Sequence, residues 1–218
     1  MTGSSARAGS RGSTGPGSPR ARLLDAAEEL FYERGIAATG VDAVLRRARV
    51  APATLYAHFG GKDGLVAAYL ERRHQRWRQT WDAAFERAGQ DPVARALSVF
   101  DALDALQDVL DTTRGCAFLG AAVEVVDPGH PARAWFDADT ELLATRLRRS
   151  ALEAGADDPE ALAAELLLVY DGVLAARARR ATTPDRAFAA ATSTSAAHAL
   201  ATSAITRHLP ERADRAPD

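Results

Sequence analysis

Residues 35–65 read GIAATGVDAVLRRARVAPATLYAHFGGKDGL, and the fold follows from where this stretch can be helical. A short helix spans Val41 to Ala48, and a tight break falls at Arg49–Val50. A second short helix runs from about Pro52 to His58, Gly60–Gly61 ends it, and a third helix opens at Lys62. Two short helices at a steep angle bury little core of their own. Such a unit serves to push its second helix into the major groove of DNA.

The stretch resembles the DNA-binding head of the TetR family of one-component transcriptional regulators. The resemblance rests on Gly35, Thr39, Val41, Asp42, Val44, Ala48, Val50, Thr54, Leu55, Tyr56, His58, Phe59, Lys62 and Leu65 at fixed spacing. Three positions depart from the family pattern: Arg49 stands where Gly is usual in the turn, Ala51 where Ser usually caps the recognition helix, and Leu45 where Ala is usual. A lost Ser cap costs about 1 kcal/mol. Pro52 partly offsets it, because its φ is already helical and it leaves no N–H unpaired.

The remaining sequence is consistent with a helical body behind such a head. The chain has 218 residues, 47% of them hydrophobic, ample for a buried core in one or two small domains. It contains no apolar run long enough to span a membrane, and its first twenty residues lack the apolar segment of a secretory signal. One Cys excludes an intramolecular disulfide and fits a cytoplasmic location. The net charge of −2 is unevenly spread. Residues 1–62 carry nine basic and five acidic side chains, a net +4, which leaves −6 for the rest. A basic head on an acidic body suits a polyanion bound at one end. Arginine supplies every basic residue except Lys62, as in a GC-rich genome, which explains its abundance but not its placement.

Residues 1–18 are rich in Gly, Ser, Pro and Arg and read as a disordered basic tail. Residues 19–64 form the expected helix-turn-helix domain, 65–209 the body, and 210–218 a polar tail. Leu23, Leu24, Ala27, Leu30 and Phe31 recur at helical spacing between Pro19 and Arg34, with Leu45, Val50, Leu55, Phe59 and Leu65 completing the head core. Further helices are expected from Lys62 to about Ala88, Asp91–Pro92 to about Thr112, Gly115 to about Val126, and Pro131 to Ala154. Two more follow, from Asp157–Pro159 to about Arg180 and from Thr183–Pro184 to about Leu209. The expected fold is all-α with about nine helices, and the resemblance covers roughly 19–209.

The resemblance implies which residues touch DNA. Tyr56 and Lys62 are the expected phosphate contacts, with Thr39 and Thr54 beside them, and Lys62 also sits at a helix N-terminus that favours phosphate. Base reading falls to Pro52, Ala53, Thr54 and His58, where Pro and Ala can pack on a thymine methyl but donate no hydrogen bond. Specificity then rests partly on DNA shape. Arg46 and Arg49 add backbone contacts, or belong with Arg47 to a solvated basic face. The partners implied are a double-stranded DNA operator, a second copy of the chain and a small, mostly apolar effector. Helices at about 158–180 and 184–209 are the expected dimer interface. Their stretches ELLLVYDGVLAARA and AFAAATSTSAAHALATSAI suit close helix packing. An effector pocket is expected among Trp77, Trp81, Phe85, Phe100, Phe118, Trp135, Phe136 and Tyr170, with Glu124, Tyr170 and Asp171 to orient a ligand, although any one of these aromatics can equally be core.

Catalytic signals are poor. Cys116 has no His or acid at a meaningful spacing, and the five His (58, 74, 130, 198, 208) form no metal-binding pattern. Asp157–Asp158 reads as a helix cap, and no phosphate-binding glycine loop is present. No enzyme, metal or cofactor is expected. The reading is a homodimeric repressor released from a pseudo-palindromic operator by its effector. The alternatives are a helical ligand-binding protein or enzyme that retains an unused head, and an activator or architectural protein without an inducer.

Overall fold

A computed structural model describes residues 15, 17–110, 116–179, 190–191 and 193–210, with the side chains of 107–110 excepted. Nearly all of both expected tails, and the start of the last expected helix at Thr183–Pro184, lie outside the described residues. Within them the chain forms nine helices and no strand. These are α1 (Pro19–Arg34), α2 (Val41–Ala48), α3 (Pro52–Phe59), α4 (Lys62–Arg87) and α5 (Pro92–Leu110), followed by α6 (Ala117–Glu124), α7 (Arg133–Glu153), α8 (Pro159–Arg179) and α9 (Thr194–His208). Two compact units result, Met1–Tyr69 and Leu70–Asp218. The head reaches past residue 64 because Leu65, Val66 and Tyr69 of α4 are buried, and Tyr69 meets Phe31 edge-on at 5.7 Å between ring centres.

In the head, α1 begins where Ser18 Oγ accepts the Ala21 N–H at 3.2 Å and Pro19 supplies a preset φ. Leu23, Leu24, Ala27, Leu30 and Phe31 are buried as their spacing requires, against Val44, Leu45 and Ala48 of α2 and Leu55 of α3. Arg22 Nε donates to the Ala48 carbonyl at 3.2 Å and ties α1 to the end of α2. Two side chains expected in this core lie at its rim. Val50 and Phe59 are half-buried, and the Arg20 guanidinium stands 5.3 Å from the Phe59 ring centre. A helix as short as α3 drives only one side chain, Leu55, fully inside.

The body core is built by the later turns of α4 with α5, α7, α8 and α9 around Trp81, Phe100, Leu147, Leu162, Leu166 and Ile205. Asp91 caps α5 by accepting the Val93 and Ala94 N–H groups, and Asp158 caps α8 by accepting that of Ala161 at 3.0 Å. The short apolar helix α6 is not enclosed. Leu119, Val123 and Val126, on it and just past its end, are exposed.

Candidate DNA-binding face and effector hollow

The recognition helix α3 is fixed from beneath and open above. Leu55 is 0% exposed, whereas Tyr56, the next residue, is 58% exposed. Pro52 and Ala53 are also exposed, and Thr54, His58 and Lys62 are half-buried. As Ala51 cannot cap, no side chain bonds the first amides of α3, and Pro52 opens the helix in its place. Gly60 ends it at φ 72°, a left-handed conformation that only Gly adopts cheaply. Gly64 then brings α4 against the end of α3: a Cβ there would lie 1.9 Å from the Phe59 carbonyl oxygen. Lys62, in the first turn of α4, is therefore held at a set distance from Tyr56 by two glycines acting for different reasons.

The turn before α3 is unusual. Arg49 sits at φ 53° and ψ 52°, left-handed without being Gly, so its position carries backbone strain of roughly 1 kcal/mol. Its side chain is exposed, as is that of Arg46. Arg47 pairs with Glu29 at 2.6 Å on the surface of the head. Thr39 does not join this face. It is 1% exposed, and its hydroxyl lies 2.7 Å from the Gly35 carbonyl and 3.2 Å from that of Leu30. The hydroxyl proton is used on one carbonyl within the last turns of α1 and one just past its end, so Thr39 ties the α1–α2 loop to α1 with its hydroxyl turned inward.

The body contains two adjoining hollows, with about 570 and 700 Å³ of atom-free space, part of it open to solvent. Cys116, Phe118, Asp139, Tyr170 and Leu174 line both. Trp77, Arg73 and Arg177 border the first, and Phe136, Leu167 and Asp171 the second. Burial, and then the charge of Asp171, push the Asp139 carboxyl up to about 6. Burial also raises the Asp171 carboxyl, and pushes the Cys116 thiol up to about 11, so Cys116 is a neutral wall of the hollow at neutral pH. His74 Nδ1 stands 3.6 Å from Asp139, and burial followed by Arg78 and Arg146 lowers its basicity.

A profile of the family described as bacterial regulatory proteins, tetR family, matches residues 23–69. A TetR-type transcriptional regulator of Streptomyces avermitilis is 32% identical in its solved structure, over 83% of this chain and 98% of that one, with a TM-score of 0.62. The chain belongs to the TetR family. A TetR-family regulator from Streptomyces coelicolor is 27% identical over 88% of this chain and 96% of that one, with a TM-score of 0.76. A helix-turn-helix transcriptional repressor of Mycobacterium tuberculosis is 43% identical over 58 residues, 27% of this chain and 31% of the relative. The stretch matched in the curated relatives spans only about a third of their length. The proteins to which this TetR-family chain is similar are transcriptional regulators rather than enzymes.

Of the expected pocket residues of this TetR-family body, Trp77, Phe118, Phe136, Tyr170 and Asp171 line the hollows. The other five expected pocket residues line neither. Trp81 is core, its indole N–H donating to Ser98 Oγ at 3.1 Å, and Phe100 is wholly buried. Phe85 lies under the Arg95 guanidinium at 4.8 Å, Trp135 meets His74 at a tilt of 45° with 5.8 Å between ring centres, and Glu124 is half-buried at the end of α6. Sequence reading missed Arg73, His74 and Asp139. The only available signal was a polar residue on the apolar face of a long helix, and ranking by aromatic size passes over it.

Proposed function

We propose that the chain is a homodimeric, effector-responsive repressor that binds a pseudo-palindromic DNA operator through α3. The observation that carries this reading is the split of α3 into one locked face and one open face. Leu55 anchors it, while Pro52, Ala53 and Tyr56 stand free, with Lys62 beside them. Tyr56 and Lys62 bind phosphate, Pro52, Ala53, Thr54 and His58 meet base edges, and exposed Arg46 and Arg49 add charge. The relative from Mycobacterium tuberculosis, named a repressor, supports the sign of regulation.

Dimerisation is assigned to α8 and α9. Leu168 is 71% exposed and Leu200 62% exposed, one on each helix, among small residues that allow close approach. A two-fold dimer presents two copies of α3 to two half-sites. The effector occupies the hollows of the body. It releases DNA only by favouring the geometry that does not fit the operator, since equal affinity for both states shifts nothing. Helix α4 is the covalent route for that change, as it begins in the head at Lys62 and ends in the body at Arg87.

The test is fluorescence-anisotropy binding of the full chain to DNA from its own upstream region, over a salt series, against an unrelated fragment. Tight, fragment-specific binding that weakens with salt is expected. Lys62→Ala should weaken binding to both fragments alike and reduce the log–log salt slope by about 2, about 1 for each copy in the dimer. Tyr56→Phe should weaken binding without altering the dimer in sedimentation. Wild-type affinity in both variants removes this face from the reading, and no binding even at low salt removes the reading itself.

A further inference from the structure

The larger hollow has two carboxylates in its lining, Asp139 and Asp171, and no basic side chain. Its other walls are aromatic and aliphatic, Phe118, Phe136, Tyr170 and Leu167 among them. Asp139 is 9% exposed, yet it accepts no hydrogen bond among the described residues. His74 Nδ1 lies 3.6 Å from it, within ion-pair range when the ring is protonated but past hydrogen-bond reach. A carboxylate nine-tenths buried without a donor is costly, and here it faces a space large enough for a molecule.

We propose that this hollow takes a lipophilic amine, its protonated nitrogen held by Asp139 and Asp171 and its apolar body against Phe118, Phe136 and Tyr170. The proposal rests on the effector reading above and adds the chemistry of the effector. An ammonium supplies the hydrogen-bond donors that Asp139 lacks, and aromatic faces beside it favour a cation further. An anion would meet two carboxylates there. Both arginines of the neighbouring hollow have interactions within the protein. Arg177 pairs with Asp104 at 3.2 Å and reaches the Leu103 carbonyl, and Arg73 has interactions of its own.

Proton uptake follows from the same groups. With its carboxyl at about 6, Asp139 must ionise fully to hold a cation, so amine affinity rises about tenfold between about pH 5 and 7 and then levels. Around Asp139 stand Arg73 and His74 from α4, Cys116 before α6, and Tyr170, Asp171 and Arg177 from α8. Burial keeps Cys116 and Tyr170 neutral across that range. Asp171, also raised by burial, ionises with rising pH, and His74 sheds any proton as pH rises, so both act in the same direction.

The experiment is calorimetric titration of the full-length protein with tryptamine, tryptophol and indoleacetate, which share a body and differ in charge. Tryptamine should bind about tenfold or more tighter than tryptophol at neutral pH, from one charge-assisted hydrogen-bonded contact, with indoleacetate weakest. Asp139→Asn should bring the tryptamine-to-tryptophol ratio close to one. In the unmodified protein tryptamine alone should tighten from about pH 5 to 7, a readout that does not depend on the variant folding. Tryptophol or indoleacetate binding as well as tryptamine, a ratio unchanged by Asp139→Asn, or no binding by any of the three overturns the amine assignment. The effector reading fails separately: an Asp139-dependent preference for tryptamine that leaves operator affinity unchanged keeps the chemistry of the hollow and discards its role in release.

Discussion

The head and the surroundings of the body's hollows handle buried polar groups in opposite ways. In the head, the buried Thr39 hydroxyl is matched to backbone carbonyls, and Arg22 reaches a carbonyl at the end of α2. In the body, among the described residues, Asp139 is buried without a hydrogen bond and faces open space, and the indole N–H of Trp77, another residue lining a hollow, meets no acceptor. Complete pairing makes a rigid platform for α3. Incomplete pairing next to a hollow leaves interactions for a ligand to complete. The strain in the head lies in its backbone, at Arg49, whereas that in the body lies in solvation.

The sharpest way to break this contrast is Gly64→Ala. An added Cβ meets the Phe59 carbonyl at 1.9 Å, and backbone cannot swing aside as a flexible side chain can. The head should lose about 3 kcal/mol despite the better helix propensity of Ala, with DNA binding lost and the body's helical signal kept. Circular dichroism melts alongside DNA binding would read this, and a fully stable variant would deny that α3 and α4 are locked together.

Asp139→Asn tests the body side. The folded pKa of Asp139 is raised, so the native state holds a proton that the unfolded chain has released between about pH 4 and 6. Stability contributed by that proton is present below about pH 4 and is lost as pH rises to about 6. Asn carries no such penalty. The variant should therefore be more stable than the parent at neutral pH, by about 3 kcal/mol, and its body transition should lose the share of the pH dependence in that interval that Asp139 carries. A variant that is less stable at neutral pH would mean that the carboxylate is held by contacts, and the contrast with the head would fall.

The smallest effect expected is at Arg49. Arg49→Gly should stabilise the head by about 1 kcal/mol by relieving the left-handed conformation. Removing an exposed charge from the turn should at the same time weaken DNA binding. Gain of stability with loss of affinity would show that the strain is kept for the charge. Gain of both would mean that Arg49 lies off the DNA surface.

The head was legible in the sequence because its signals act over a few residues. Pro52 can only open a helix, Gly60 can only end one cheaply, and the Leu55–Tyr56 pair divides inside from outside on a helix too short to bury more than one side chain. The same local rules placed the starts of α5 and α8 at Asp91 and Asp158. The resemblance then supplied DNA-facing roles, and Thr39 is the position where local geometry gives the side chain a different task.

The hollow was legible only in part. Trp77, Phe118, Phe136 and Tyr170 were found because large aromatics at helical spacing must go inside somewhere, but the same rule also selected Trp81 and Phe100, which are core. Sequence by itself determined the helical class, the order of the helices and the open face of α3, because backbone sterics and helix periodicity are local, but it ran the last helix from Thr183–Pro184 where α9 starts at Thr194 behind an extended Ser193 cap. Only the tertiary structure decided which buried side chains meet empty space. Arg73, Cys116, Asp139 and Tyr170 come from α4, the start of α6, α7 and α8, and whether a carboxylate among them finds a donor depends on how four distant helices pack.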